Sequence, residues 1–234
     1  MSKLSVIVVS YNSENTIEKT LDSIINQTYN NFELILLDRN SKDKTLEIAG
    51  KYKNNIDKWI SEPDKFYETL NKGVLLAQGD YILFLNSGDI LFSERTLEIF
   101  SQYLKNEDII YSNINLSKKK YNPKYNKKYA LIEGETFLAS EFIKRNLLEK
   151  TGGFDTRFRI LSDKEFNLRA ILKEKSTIKY VNEVSVTITK NKDEILSPKK
   201  ARRLQKEKNV LRKIYFNKIE NIVNEIIYFF LKNK

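Results

Sequence analysis

The chain has 234 residues, 41% hydrophobic and 31% charged, with 41 Lys+Arg against 31 Asp+Glu and a formal net charge of +10. It contains no cysteine and no histidine, which excludes disulfides, thiolate nucleophiles and imidazole bases and leaves carboxylates to serve as acids, bases and ligands for hard, oxygen-preferring cations. From Lys190 to Lys234 there are 13 Lys+Arg and 5 Asp+Glu, so most of the positive excess belongs to the tail.

Leu4 to Val9 is a β-branched apolar run and predicts a strand. After a polar turn, Ile17, Leu21, Ile24 and Ile25 recur at helical spacing, with Asn15 or Ser13 as cap and Glu18 completing a capping box from Asn15. Glu33 to Leu37 predicts a second strand ending at Asp38, and Ser41 opens a helix toward Tyr52. Ile56 to Ile60 reads as a short third strand, Tyr67 to Ala77 as a helix, and Tyr81 to Leu85 as a fourth strand buried on both faces. Strands alternating with helices imply a mostly parallel sheet with right-handed crossovers. Ligands of such sheets bind beyond the carboxyl ends of the strands, where Asn86, Ser87, Gly88 and Asp89 stand. A carboxylate there can hold a divalent metal against a phosphate; the alternative is an Asp-Gly type turn without a ligand. Neither GxGxxG nor GxxxxGK[ST] occurs, so neither a dinucleotide site nor a P-loop is supported.

Asp108 to Tyr111 leads into KKKYNPKYNKK, Lys118 to Lys128, with six lysines and no acid, an expected exposed loop. A helix led by Ser162 and Asp163 runs to Leu172, a β-branched stretch spans Thr177 to Thr189, and the tail after Pro198 is helical by pattern. There Ile219, Ile222, Val223, Ile226, Ile227 and Phe230 make an amphipathic stripe. The expected organisation is a domain over 1–190 and a basic amphipathic helical tail over 191–234. No apolar run approaches the roughly 20 residues of a membrane-spanning helix, and the first residues enter a strand without a signal-peptide layout. A cytoplasmic protein is expected.

Five landmarks occur in order: Ser10-Tyr11-Asn12, Asp38 through Asp43, Asn71-Lys72-Gly73, Asn86 to Asp89, and Gly152 to Arg169. Together they resemble the family 2 glycosyltransferases of the GT-A fold, especially the bacterial branch that builds O-antigen, capsule and related surface polysaccharides. The resemblance covers roughly residues 3 to 190. Its closest stretches are YNSENTIEKTLDSIINQTYNNFELILLD, WISEPDK, NKGVLLAQGDYILFLNSGD and GGFDTRF. It implies an α/β, Rossmann-like, mostly parallel twisted sheet flanked by helices. It also implies an Mn2+- or Mg2+-dependent, inverting transfer of a sugar from a nucleotide-diphosphate donor to a glycan or lipid-linked acceptor.

Carried over by position, Tyr11 would stack on the base, Asp38 would hold the nucleoside, and Asn71 and Lys72 would lie near the diphosphate. Ser10, Asn12, Arg39 and Ser87 would complete the nucleotide-sugar site, Asp89 would bind the metal, and Asp163 would be the general base with Glu165 as runner-up. Plainer roles stand beside these: Tyr11 covering a sheet edge, Asp38 capping a turn, Asp163 capping its helix, Lys72 on the surface. The chain departs from the family pattern at Arg39, Glu68, Gly88 and Leu138, the last standing where relatives carry a histidine. Arg39 would pair with Asp38 or meet a nucleotide phosphate. The implied alternative function is a GT-A-like protein with weakened catalysis that acts as a scaffold partner of another transferase. The tail is expected either to lie on the inner face of the cell membrane or to pack on the domain or on a second chain. Nucleic-acid binding is disfavoured because no recognition motif accompanies the basic charge.

Overall fold

In the computed structural model the residues described are 2–116, 119–123, 137–188 and 197–216. Their strands are β1 (Leu4–Ser10), β2 (Phe32–Asp38), β3 (Lys58–Ser61), β4 (Tyr81–Asn86), β5 (Asp89–Leu91), β6 (Ile109–Leu116), β7 (Lys119–Tyr121), β8 (Glu141–Lys144) and β9 (Ile178–Ile188). The helices are α1 (Ile17–Ile25), α2 (Thr45–Gly50), α3 (Phe66–Leu76), α4 (Thr96–Ser101), α5 (Arg145–Thr151), α6 (Ser162–Leu168) and α7 (Pro198–Tyr215). A 3-10 turn occupies Leu138–Ser140, and α6 runs on through a π turn, Arg169–Lys173.

The strands form one sheet in the order β3-β2-β1-β4-β8-β6-β9-β5, with β7 added to β6. The first four run parallel, while β8 is antiparallel to both β4 and β6 and joins a parallel β6–β9 pair to the parallel half. Side chains of a strand alternate between faces, so an unbroken apolar run requires cover on both. Val6 and Val8 pack with Leu34, Leu36, Leu83 and Leu85 beneath α1, α2 and α4. Ile7 and Val9 pack on the other face with Ile35, Leu37, Ile82 and Phe84 beneath α3, α5 and α6. Complete burial of such a side chain contributes about 1.5–3 kcal/mol, and a one-residue register slip would exchange the two sets.

Several boundaries differ from the sequence expectation for identifiable reasons. Helix α1 begins after Thr16 with no side-chain cap; the Ser13 carbonyl accepts the N–H groups of Thr16 and Ile17 at 2.9 Å, and the Asn15 box is not made. Helix α2 begins at Thr45, because Ser41 bonds to Asp38 while Asp43 accepts the Thr45 N–H at 3.0 Å and its hydroxyl at 2.5 Å. The lysine-rich segment is not all loop, since Lys119–Tyr121 pairs with β6. Residues 124–136 and the stripe from Ile219 to Phe230 lie outside the described residues.

The described part of the tail packs on the domain. Leu211, Tyr215 and Phe216 are buried with Tyr111, Phe158, Leu161 and Leu168 in a third apolar cluster. No helix among the described residues is long and apolar enough to cross a membrane.

Candidate active site

The parallel register lines up the carboxyl ends of the strands: Ser10 lies beside Asp38, Asp38 beside Ser61, and Val9 beside Asn86. Asp38, 2% exposed, is the hub of this crest. Its carboxylate accepts the hydroxyls of Ser10 at 2.9 Å, Ser41 at 2.5 Å and Ser61 at 2.7 Å, and the Ser41 N–H at 2.8 Å. A carboxylate has about four lone-pair sites, and these bonds occupy them. Asp38 thereby ties β1, β2 and β3 together at the rim.

The loops above the crest are also laced together. The Asn12 N–H donates to the Ser41 hydroxyl at 2.9 Å, and the Lys42 N–H donates to the Asn12 side chain at 2.8 Å. This leaves Tyr11 53% exposed, with the Arg39 guanidinium 5.4 Å from its ring centre. Arg39 does not pair with Asp38; its Nε donates to the Asp64 carbonyl at 3.0 Å. Arginine over an aromatic face is a cation–π contact, and it holds the Tyr11 ring at the mouth of the crest.

Asp89 and Asp163 line one cavity of about 210 Å³, together with Asn86, Leu138, Tyr67 and Phe84. Asp89 reaches it because the chain leaves β4 at Asn86, turns at Gly88 with φ +109°, and re-enters the sheet as β5. A side chain would be strained at that φ, so Gly88 is required by the turn. Burial pushes the Asp89 carboxyl up to about 6, although the Asn86 N–H donated to it at 2.8 Å acts the other way. The Ser87 hydroxyl faces α1, 3.1 Å from that of Thr16, and the Gly88 N–H donates to Thr20 at 2.8 Å.

Asp163 sits in the first turn of α6. Burial raises its pKa, and the Tyr67 hydroxyl, 2.8 Å from Oδ1, offsets part of that rise. The same hydroxyl lies 2.9 Å from the Ile160 carbonyl, so Tyr67 bridges the approach to α6 and the carboxyl it carries. Burial and the neighbouring Asp163 charge raise the phenol's own pKa, keeping it protonated.

Other expected site residues serve different neighbours. Asn71 accepts the Phe154 N–H and donates to the Phe154 carbonyl, both at 2.8 Å. It clamps the turn at Gly153, whose φ is +72° and where a Cβ would collide with the Asn71 amide. Lys72 pairs with Glu62 and Asp64, which raise its pKa. Glu165 lies away from the Asp89–Asp163 cavity, buried against Arg169 at 2.9 Å and the Tyr215 hydroxyl at 2.6 Å. Of the two carboxylates considered as base, Asp163 is the one in the cavity.

Two contributors were not singled out from the sequence. Tyr67 had no signal beyond its place at a helix start. Glu207 did have one: Leu204, Glu207, Leu211 and Tyr215 share a helical stripe, and an acid on the apolar face of a basic helix must find buried donors. Its carboxylate accepts the N–H groups of Arg159 at 2.9 Å and of Ile160 and Leu161 at 3.0 Å. From α7 it holds the backbone that leads directly into Asp163.

Among the described residues no group of three or more His, Cys, Asp or Glu side chains gathers where it could hold a metal. The cavity's polar lining is oxygen-rich, with Asn86, Asp89, Asp163 and Tyr67, and oxygen is the donor type that hard divalent cations take.

The profile described as Glycosyl transferase family 2 matches residues 5–168. A PGL/p-HBAD biosynthesis glycosyltransferase of Mycobacterium bovis is 28% identical over 189 residues, 77% of this chain and 74% of that protein. A poly(ribitol-phosphate) beta-glucosyltransferase of Bacillus spizizenii is 28% identical over 198 residues, covering 74% of this chain and 30% of that one. Among solved structures, residues 1–349 of S. aureus TarS in complex with UDP-GlcNAc superpose with a TM-score of 0.73 at 21% identity, over 89% of this chain and 66% of that one. The mannosyltransferase PcManGT of Pyrobaculum calidifontis, in complex with GDP-Man and Mn2+, gives 0.67 at 20% identity, over 82% and 58%. The chain thus spans just under two thirds of the TarS fragment and less of the larger relatives.

Proposed function

The chain belongs to glycosyl transferase family 2 and has a GT-A-like fold, and from that premise we propose that it moves a sugar from a nucleotide-diphosphate donor onto a glycan or lipid-linked acceptor, with inversion, in surface polysaccharide synthesis. The observation that carries this reading is the convergence of Asp89 and Asp163 on one cavity at the carboxyl edge of the parallel strands. Relatives named for PGL/p-HBAD biosynthesis and for poly(ribitol-phosphate) beta-glucosyl transfer support the acceptor class.

In the proposed reaction the acceptor hydroxyl gives its proton to Asp163 while its oxygen attacks the anomeric carbon and the bond to the diphosphate breaks. Tyr67 engages Oδ1, which leaves Oδ2 as the base oxygen. A cavity of about 210 Å³ is smaller than ordinary ligand pockets of roughly 300–1,000 Å³. It suits the reacting sugar, with the nucleotide over the crest where Tyr11 offers its ring and Ser10, Asn12, Arg39 and Asp38 build the rim. Asp89 would hold Mn2+ or Mg2+, which when bound neutralises charge on the departing diphosphate.

Asp163→Asn tests the reading, because asparagine keeps an acceptor for Tyr67 and removes the base. We expect transfer to fall by about 10²–10⁴-fold with UDP or GDP affinity nearly unchanged. A normal rate would remove Asp163 from the mechanism. One observation favours a second reading, a scaffold with weakened catalysis: Asp89 has no companion carboxylate at Gly88, and Leu138 lines the same cavity. Absence of both donor hydrolysis and Mn2+-dependent UDP binding in the wild type would select it.

A further inference from the structure

Phe66 and Tyr67 line a second cavity, of about 250 Å³, whose other walls include Arg39, Lys65, Arg159 and Arg203. The four cations come from four places in the fold: the end of β2, the N-cap of α3, the approach to α6, and α7. One acid, Glu68, shares the wall, and it is already paired with Lys65 at 2.8 Å; that hydrogen bond, with a smaller contribution from Arg159, holds its carboxyl below the usual range. Among the described residues no salt bridge reaches Arg39, Arg159 or Arg203. Like charges brought together from separate elements repel unless an anion joins them, and guanidinium groups match phosphate oxygens in geometry.

We propose that this cavity is a subsite for a phosphate carried by the acceptor, so that the substrate is a phosphate-bearing glycan or polyol chain whose hydroxyl reaches Asp163 past Tyr67. The assignment rests on the transferase reading above. The donor diphosphate is the competing source, because Arg39 also borders the nucleotide rim; the other residues of the wall weigh against it. Asp89 is absent from the wall, whereas Tyr67 bonds directly to Asp163. Arg159 belongs to the backbone that leads into Asp163, and that backbone is held by Glu207, one helical turn beyond Arg203. Arg159 and Arg203 are therefore tied to the same backbone as the base. From Arg203 the positive surface continues to Arg202 and Lys206 in an adjoining groove on α7, which gives a second phosphate of a repeating phosphodiester a place to lie.

The full chain can be titrated with a fluorescent glycerol-phosphate phosphodiester oligomer, an uncharged oligosaccharide, UDP, GDP, and vesicles of phosphatidylcholine with phosphatidylglycerol. The Arg159→Gln/Arg203→Gln variant should bind the oligomer at least ten-fold more weakly than the wild type and with a shallower salt dependence, while UDP and GDP affinities hold. Lys213→Gln, an exposed cation elsewhere on α7, should match the wild type, and thermal melts should show all three proteins folded. Unchanged oligomer affinity in the double variant would overturn the proposal. So would a parallel fall in UDP or GDP affinity, which would give the cavity to the donor, or a loss confined to vesicles, which would give it to a lipid surface. Donor hydrolysis by the wild type separates the two failures. Its absence with oligomer binding intact would sink the transferase reading and the word acceptor with it, whereas intact hydrolysis with no oligomer effect would sink the subsite alone.

Discussion

Asp89 and Asp163 are both carboxyls that burial pushes upward, and they differ in what answers it. At Asp163 the answer is the Tyr67 hydroxyl, which favours the charged form a base must have. Tyr67→Phe removes that bond and should move the acidic limb of the kcat–pH profile to higher pH, because Asp163 then deprotonates later; an unmoved limb would show that the phenol does not tune the base. At Asp89 burial lifts the folded-state value to about 6, above the ordinary aspartate value of 3.8. The folded protein therefore binds the proton more tightly, and stability falls as pH rises through that interval, then levels off above it. Asp89→Asn abolishes this fall while keeping an oxygen for the Asn86 N–H. Urea titrations from pH 4 to 7 should show the variant gaining on the wild type by up to about 3 kcal/mol, and parallel curves would mean that Asp89 is not held out of water. Asp38 is a buried carboxylate of another kind, whose three hydroxyl partners make it part of the frame.

At the scale of elements, α7 holds the backbone leading into Asp163 through Glu207. The three N–H groups that Glu207 accepts precede α6 and have no partner inside that helix. Glu207→Gln removes the charge and one acceptor oxygen, which should cost about 1–3 kcal/mol in urea unfolding. It should also lower kcat more than donor affinity, since the segment it releases carries Asp163. A loss of stability with kcat intact would make Glu207 a packing residue only. The Asn71 clamp does the same work earlier in the chain between α5 and α6, holding the Gly153 turn to α3. Both contacts join segments distant in the chain, and that distance hides them from local pattern.

For the whole molecule, the described half of the tail is part of the domain, so the membrane expectation rests on residues 217–234. Removing those residues while keeping α7 should leave the thermal melt within a few degrees of the wild type and reduce recovery with anionic vesicles; unchanged recovery would defeat the membrane role. Stopping the chain before Pro198 should instead lower the melting temperature, because Phe158, Leu161 and Leu168 lose their cover.

The continuous apolar runs and turn chemistry of the first hundred residues determine strands buried on both faces, and with them the sheet and the carboxyl-edge position of Asn86 to Asp89. The absence of cysteine and histidine leaves carboxylates for any acid–base chemistry. Periodicity records which face of an element is buried, and it does not record against what. Only the tertiary structure could separate Asp163 from Glu165, which lie two positions apart on one helix and meet a cavity and an Arg169–Tyr215 network respectively. Only it could engage Asn71 with Phe154, tie Lys72 to Glu62 and Asp64, and bring Arg203 and Glu207 from the tail to the base. Each of those outcomes depends on which distant backbone group or charge the chain packing brings within hydrogen-bond reach.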